Sequence, residues 1–162
     1  VLASISGHYD LVYAWDASGA FNNSGNWKKF DPNAGIGNTL TDLDPTIGFW
    51  IHMTTANMLT VTGTHPASTT ISLLDNVGGW NLVGFPSSSA LNMPGALESN
   101  GVGGSDYSKV YSYQAADASD PWKIYDPTAL FFANDLTEME PGFGYWIKVI
   151  GDPIWTMEYT PN

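Results

Sequence analysis

The sequence predicts an all-β fold, a β-sandwich or barrel-like arrangement of short strands, with one short helix in each of two tandem pseudo-symmetric repeats. Three observations lead there. Short runs rich in Val, Ile, Thr, Tyr and Trp are separated by Gly, Pro, Asn and Asp clusters, the pattern of strands and tight turns. Charged residues make up only 13% of the 162, against about 25% in an average domain, while aromatics reach 14%, so the surface is polar but weakly ionic. The third observation is internal repetition.

Three blocks recur in the same order. Tyr9-Asp10-Leu11-Val12-Tyr13-Ala14-Trp15 matches Tyr107-Ser108-Lys109-Val110-Tyr111-Ser112-Tyr113, and Trp27-Lys28-Lys29-Phe30-Asp31-Pro32 matches Trp122-Lys123-Ile124-Tyr125-Asp126-Pro127. The longest runs without gaps from Asn38 to Met53 and from Asn134 to Val149. The offsets are 98, 95 and 96 residues, too consistent for coincidence.

The elements follow in order. Strands are expected at 11–15 and 27–30, where aromatic and aliphatic residues are bounded by Asp and Gly. Another is expected at 48–53, after Pro45 fixes a turn at its entrance. Residues 58–62 carry apolar side chains between threonines and also read as a strand. The second repeat opens with a hairpin-like stretch at 69–74, a turn at 75–79 and a strand at 81–85, followed by a short helical piece around 96–99. Strands at 109–113, 123–125, 144–150 and 155–159 complete the series, with Pro141 standing where Pro45 stands in the first repeat. The first repeat spans residues 1–68 and lacks the leading strand that the second, 69–162, possesses. Either the chain is part of a longer array or the central hairpin serves both repeats. A unit of about 80 residues buries a modest fraction of its surface, so the two are expected to pack together as one unit.

Side chains alternate across a strand, so parity sorts residues by face. Phe49, Ile51 and Met53 share one face, and Trp50 and His52 the other; Tyr145, Ile147 and Val149 likewise oppose Trp146 and Lys148. A lysine is seldom buried without a partner, which places the Trp146 face near solvent. Six aromatics thus fall on faces that also carry polar groups: Tyr13, Trp15 and Trp50, with Tyr111, Tyr113 and Trp146. Flat rings beside hydrogen-bonding groups suit sugars, whose C–H faces stack on them without need of charge. Trp27 and Trp122, next to lysines and turns, read as caps on a core.

The charge balance removes other functions. Five lysines, no arginine and 16 acidic residues give a formal charge of −11, which repels nucleic acid and acidic membrane surfaces. No apolar run approaches the roughly 20 residues of a spanning helix, so no membrane insertion is expected. Residues 1–8 have no basic stretch or long apolar core, so no signal peptide is expected in them. Without cysteine there is no thiolate catalysis, disulfide or thiolate metal site. Oxygen-rich loops at 16–23 and 117–126 make calcium the candidate ion, with Asp16, Asp117 and Asp120 as ligands, although neither loop follows the D-x-D-x-D-G pattern with its closing glutamate. Asp42 with Asp44 and Glu138 with Glu140 precede proline turns, where solvated acids are ordinary, rather than flanking a cleft. His8, His52 and His65 show no ligand spacing, and no G-x-S-x-G elbow offers a serine nucleophile. An enzyme is not expected.

Trp80-Asn81-Leu82-Val83-Gly84-Phe85-Pro86 and Leu136-Thr137-Glu138-Met139-Glu140-Pro141-Gly142-Phe143-Gly144-Tyr145-Trp146-Ile147 resemble a tandem repeat of large bacterial and archaeal extracellular multidomain proteins. The resemblance covers nearly the whole chain in two copies, the first departing from it at Thr46-Ile47 and in lacking an upstream Trp-Asn-Leu strand. Such repeats stand beside surface-anchoring, adhesion or polysaccharide-degrading modules, which implies an extracellular or cell-surface location. The expected function is a noncatalytic carbohydrate-binding module acting on a polysaccharide or glycan through the six aromatics. The alternative is a structural or adhesive module of a cell-surface protein that contacts neighbouring modules or copies of itself through an unpaired strand edge.

Overall fold

A computed structural model describes residues 1–19, 26–64 and 66–158. The protein is all-β and sandwich-like, with several antiparallel sheets, one helical turn and three short 3-10 turns among the described residues. No helix among them is long and apolar enough to cross a membrane.

The first half contributes β1 (Tyr9–Trp15), β2 (Trp27–Phe30) and β3 (Phe49–Met53), ordered β2-β1-β3. The second contributes β4 (Ser68–Ser72), β5 (Trp80–Gly84), β6 (Leu91–Asn92), the helical turn α1 (Gly95–Glu98), β7 (Tyr107–Tyr113), β8 (Trp122–Tyr125), β9 (Glu138–Met139), β10 (Gly144–Val149) and β11 (Ile154–Glu158). Its main sheet is ordered β5-β10-β7-β8. The three recurring sequence blocks adopt the same pairing twice. Tyr13 lies opposite Trp50 and Trp15 opposite Trp27; Tyr111 lies opposite Trp146 and Tyr113 opposite Trp122. Even the irregularity repeats, with a register shift between Tyr9 and Leu11 and another at its counterpart between Tyr107 and Lys109. The turns after β2 and β8 are pinned alike. Asn38 receives the Asp31 N–H at 2.8 Å and donates back to the Asp31 carbonyl at 3.0 Å, and Asn134 does the same to Asp126 at 2.8 and 3.1 Å.

The cores differ in depth. In the second half Val110, Leu136, Met139, Tyr145, Ile147 and Trp155 are fully or almost fully buried in one cluster. Their cover comes from the β4–β11 pair, which supplies Ile71, Trp155 and Met157, and from α1, which supplies Ala96 and Leu97. The indole N–H of Trp155 donates to the Ala96 carbonyl at 3.0 Å and ties the two covers together. In the first half the buried hydrophobic cluster among the described residues is Ile5, Tyr9, Val12, Ala14 and Leu40, and Phe30, Leu43, Phe49, Ile51 and Met53 stay half-exposed.

Several expected elements differ from those found. Residues 69–74 do not form a hairpin with 81–85. Their strand instead pairs with β11, far along the chain, so that Ile71 lies opposite Trp155. Residues 58–62 form no strand: Met58, Leu59 and Val61 face outward, and the segment is held at Thr60 by the Ser4 hydroxyl, which accepts the Thr60 N–H at 2.9 Å. An apolar run without a neighbouring strand has nowhere to place its ladder bonds. The first half's helical piece is a 3-10 turn, Leu2–Ile5. Asn22 and Asn23 of the first oxygen-rich loop, His65, and the end of the last strand at Tyr159 lie outside the described residues.

Strand β5 is hydrogen-bonded to both halves. On one side it pairs with β10, Val83 opposite Tyr145. On the other the Gly48 N–H donates to the Leu82 carbonyl at 3.3 Å, and the Gly84 N–H to the Thr46 carbonyl at 3.1 Å. This approach requires glycine: a Cβ on Gly48 would stand 2.6 Å from the Val83 carbonyl oxygen, and one on Gly84 2.6 Å from that of Pro45.

Candidate functional site: an aromatic groove between the two halves

Parity sets the site. Each main sheet buries one face in its own core and leaves the other lined with rings, and the two ring-bearing faces meet. The contacts across the seam are reciprocal. Trp146 of the second half packs edge-on against Trp15 (5.8 Å between centroids) and Trp27 (5.7 Å) of the first. Trp50, its counterpart in the first half, meets Tyr113 (5.2 Å) and Trp122 (5.5 Å) of the second. Each tryptophan of β3 and β10 thus touches the partner half's copy of the same two positions. The Trp15 indole N–H donates to the Trp80 carbonyl at 2.9 Å, adding a hydrogen bond to the seam.

The six aromatics expected from parity are all gathered here. Tyr13, Trp15, Trp50, Tyr111 and Trp146 are half-buried, and Tyr113 is 39% exposed. Three further rings belong to the same cluster. Trp27 and Trp122 do not cap a core; they lie on the opposite face, 40% and 44% exposed, at the rim. The available signal was Phe30: it joins the core, and three residues earlier in a strand lies the other face, where Trp27 must point. Trp80 is the third. It tilts over Tyr111 at 5.9 Å and carries the Lys148 ammonium 5.6 Å above its ring, which explains why a lysine tolerates this face.

Between the halves lies an open groove of about 560 Å³ lined by Tyr13, Trp27, Trp50 and Trp146. One residue from each of four strands contributes, Tyr13 of β1, Trp27 of β2 and Trp50 of β3 from the first half and Trp146 of β10 from the second. Its walls are ring faces and edges. Hydrogen-bonding groups stand on the same face: Lys29 opposite Tyr13, and exposed His52, which is 2.6 Å from Asp10.

The candidate calcium ligands are engaged with lysines. Asp16 receives the Ser18 hydroxyl (2.6 Å) and backbone N–H (3.0 Å) and pairs with Lys28 at 3.3 Å, which together hold its carboxyl below the usual value. Asp117 and Asp120 share Lys123 at 2.9 and 3.2 Å. That ammonium and the Ser119 hydroxyl hold the Asp117 carboxyl far below its ordinary range, while Asp117 raises Lys123. An ion in either loop would have to displace a lysine already neutralising these oxygens. Among the described residues no three His, Asp or Glu side chains converge as a metal site.

Neither acidic pair lines the aromatic groove, and of the four carboxylates Asp42 borders a separate groove of the first half. Asp44 caps the turn by accepting the Thr46 N–H at 2.8 Å, and the Glu140 N–H donates to the Tyr145 phenol oxygen at 2.7 Å. Comparison with protein-family models, curated proteins and solved structures returns no match.

Proposed function

We propose that the protein is a noncatalytic carbohydrate-binding module, the outward part of a cell-surface or secreted protein, which takes a polysaccharide chain into the groove between its two halves. One observation carries this reading: an open groove walled by Tyr13, Trp27, Trp50 and Trp146, with Trp27 and Trp122 substantially exposed at its edge. Rings that could be sequestered are left in contact with solvent, at the centre of the molecule and on both halves. Pyranose rings offer apolar faces of matching size, and stacking on tryptophan needs no net charge. The net charge of −11 favours a neutral sugar over an acidic one.

Affinity electrophoresis through gels containing soluble polysaccharides tests this directly. Wild-type protein is expected to be retarded by at least one neutral polysaccharide, and Trp27→Ala to lose about tenfold or more in affinity while melting within a few degrees of wild type, since the ring lies at the rim. Equal retardation of the variant, or no retardation by any polysaccharide, contradicts the proposal.

A further inference from the structure

The loops that follow β2 and β8 are one scaffold carrying two different tips. Asn38 and Asn134 clamp their bases alike, and the residues enclosed are 32–37 in the first half and 127–133 in the second. The first tip reads Asn33-Ala34-Gly35-Ile36-Gly37, the second Ala129-Leu130-Phe131-Phe132-Ala133. Leu130, Phe131 and Phe132 are 67%, 87% and 71% exposed, and the two phenyl rings stand edge to face at 5.6 Å. A single exposed apolar residue needs no explanation, but three large ones in succession do. The tip is ordered: the Ala129 N–H donates to the Asp126 carbonyl at 3.1 Å and the Ala133 N–H to the Leu130 carbonyl at 2.8 Å. Neither neighbouring half covers these loops. Ile36 is 92% exposed although the second half follows it, and Phe131 is exposed although the first half precedes it.

The chemistry of the loop selects its partner. Residues 127–133 carry no charge, and the acids at the base are engaged with the protein. Asp126 accepts the Thr128 N–H at 2.9 Å and pairs with Lys109 at 3.3 Å, and Asp135 accepts the Ile124 N–H at 2.6 Å. The Thr128 hydroxyl donates to Asp126 at 2.7 Å, so no free side-chain hydroxyl stands beside the rings to hold a sugar. Three such side chains cover about 600 Å² at most, less than the roughly 800 Å² that each partner gives to a stable protein interface. A small, convex, uncharged apolar tip fits a lipid surface, which needs no matching pocket. We propose that Leu130, Phe131 and Phe132 insert into the interface of a zwitterionic bilayer and hold the molecule there weakly and reversibly. The net charge of −11 keeps it off anionic lipid. The contact requires no spanning segment, and it leaves the glycan groove open, because β8 places the rim ring Trp122 about 10 Å along the strand from Tyr125, where the loop begins.

Flotation with phosphatidylcholine vesicles tests this. Wild type is expected to be half-bound at about 1 mM lipid, weaker than the anchoring by one myristoyl chain, and to bind less when phosphatidylglycerol is mixed in. The double variant Phe131→Ser, Phe132→Ser is expected to bind at least about tenfold more weakly, and Ile36→Ser within about twofold of wild type. All three side chains are exposed, so the variants are expected to melt with wild type. Trp27→Ala is expected to float as wild type does while losing polysaccharide, which separates this contact from the glycan groove. No flotation of wild type at about 10 mM lipid, equal flotation of the double variant, or flotation that depends on phosphatidylglycerol would overturn the proposal. Loss of polysaccharide retention in the double variant, with no vesicle binding by wild type, would overturn it too and assign the tip to the glycan site.

Discussion

The two halves share strand order, register, a bulge and turn caps, yet they bury different amounts of the same face. Ile51 and Ile147 occupy one position in two copies of one strand, opposite Val12 and Val110; Ile147 is fully buried and Ile51 is half-exposed. The strands are equivalent, and what differs is the cover. The β4–β11 pair, α1 and β6 close the second half, and the first has a 3-10 turn and the irregular segment from 54 to 64. A repeated sheet therefore does not imply a repeated core, and the ring-bearing faces, which are repeated, are where the halves meet.

The largest expected difference lies in that core. Ile147→Ala should cost about 2–5 kcal/mol, whereas Ile51→Ala should cost about 1 kcal/mol, because a half-exposed site loses less transfer energy and leaves no sealed cavity. Urea unfolding of the two variants measures this, and equal costs would mean that the first half is closed as tightly as the second.

The paired glycines come next. Gly48 and Gly144 are equivalent, but an added Cβ meets the Val83 backbone at 2.6 Å in the first and nothing nearer than Gly48 Cα, at an ordinary 3.7 Å, in the second. Gly48→Ala should destabilise by about 1–3 kcal/mol through overpacking against backbone, and Gly144→Ala by less than about 1 kcal/mol. Thermal melts of both test whether the seam at β5 is as tight as described.

Alkaline pH sharpens the same contrast. Burial pushes the Tyr145 phenol up to about 12, and burial with nearby Tyr125 and Glu98 pushes Tyr107 higher still. A folded pKa above the unfolded value of about 10 means that the stabilisation is fully present below pH 10 and is lost as pH rises through 12, about 2 kcal/mol for Tyr145. Phe49 holds the equivalent place in the first half and has nothing to ionise. Stability measured between about pH 8 and pH 12 should fall in wild type and fall less in Tyr145→Phe.

Much of this was legible in the sequence. The repeat located β1, β2 and β3 and their counterparts, and parity alone put Trp50 and Trp146 on the face opposite Ile51 and Ile147. The misread parts depend on partners that lie far away in the chain. Ile71 gives no local sign that it pairs with Trp155, and the two-residue β6 is too short to show a period. Residues 58–62 looked like a strand because their composition suits one, but composition supplies no neighbour. Trp27 and Trp122 were misread from their flanking lysines, although the buried Phe30 three residues on implied the opposite face. That the two aromatic faces oppose each other could not be read from either repeat alone.

The central claim is that the rings on both halves form one sugar-binding surface. Retention on insoluble polysaccharide of Trp50→Ala, Trp146→Ala and wild type, each verified as folded by circular dichroism, tests it most directly. Retention should drop by about tenfold or more in both variants, one from each half; folded variants retained as well as wild type would contradict it.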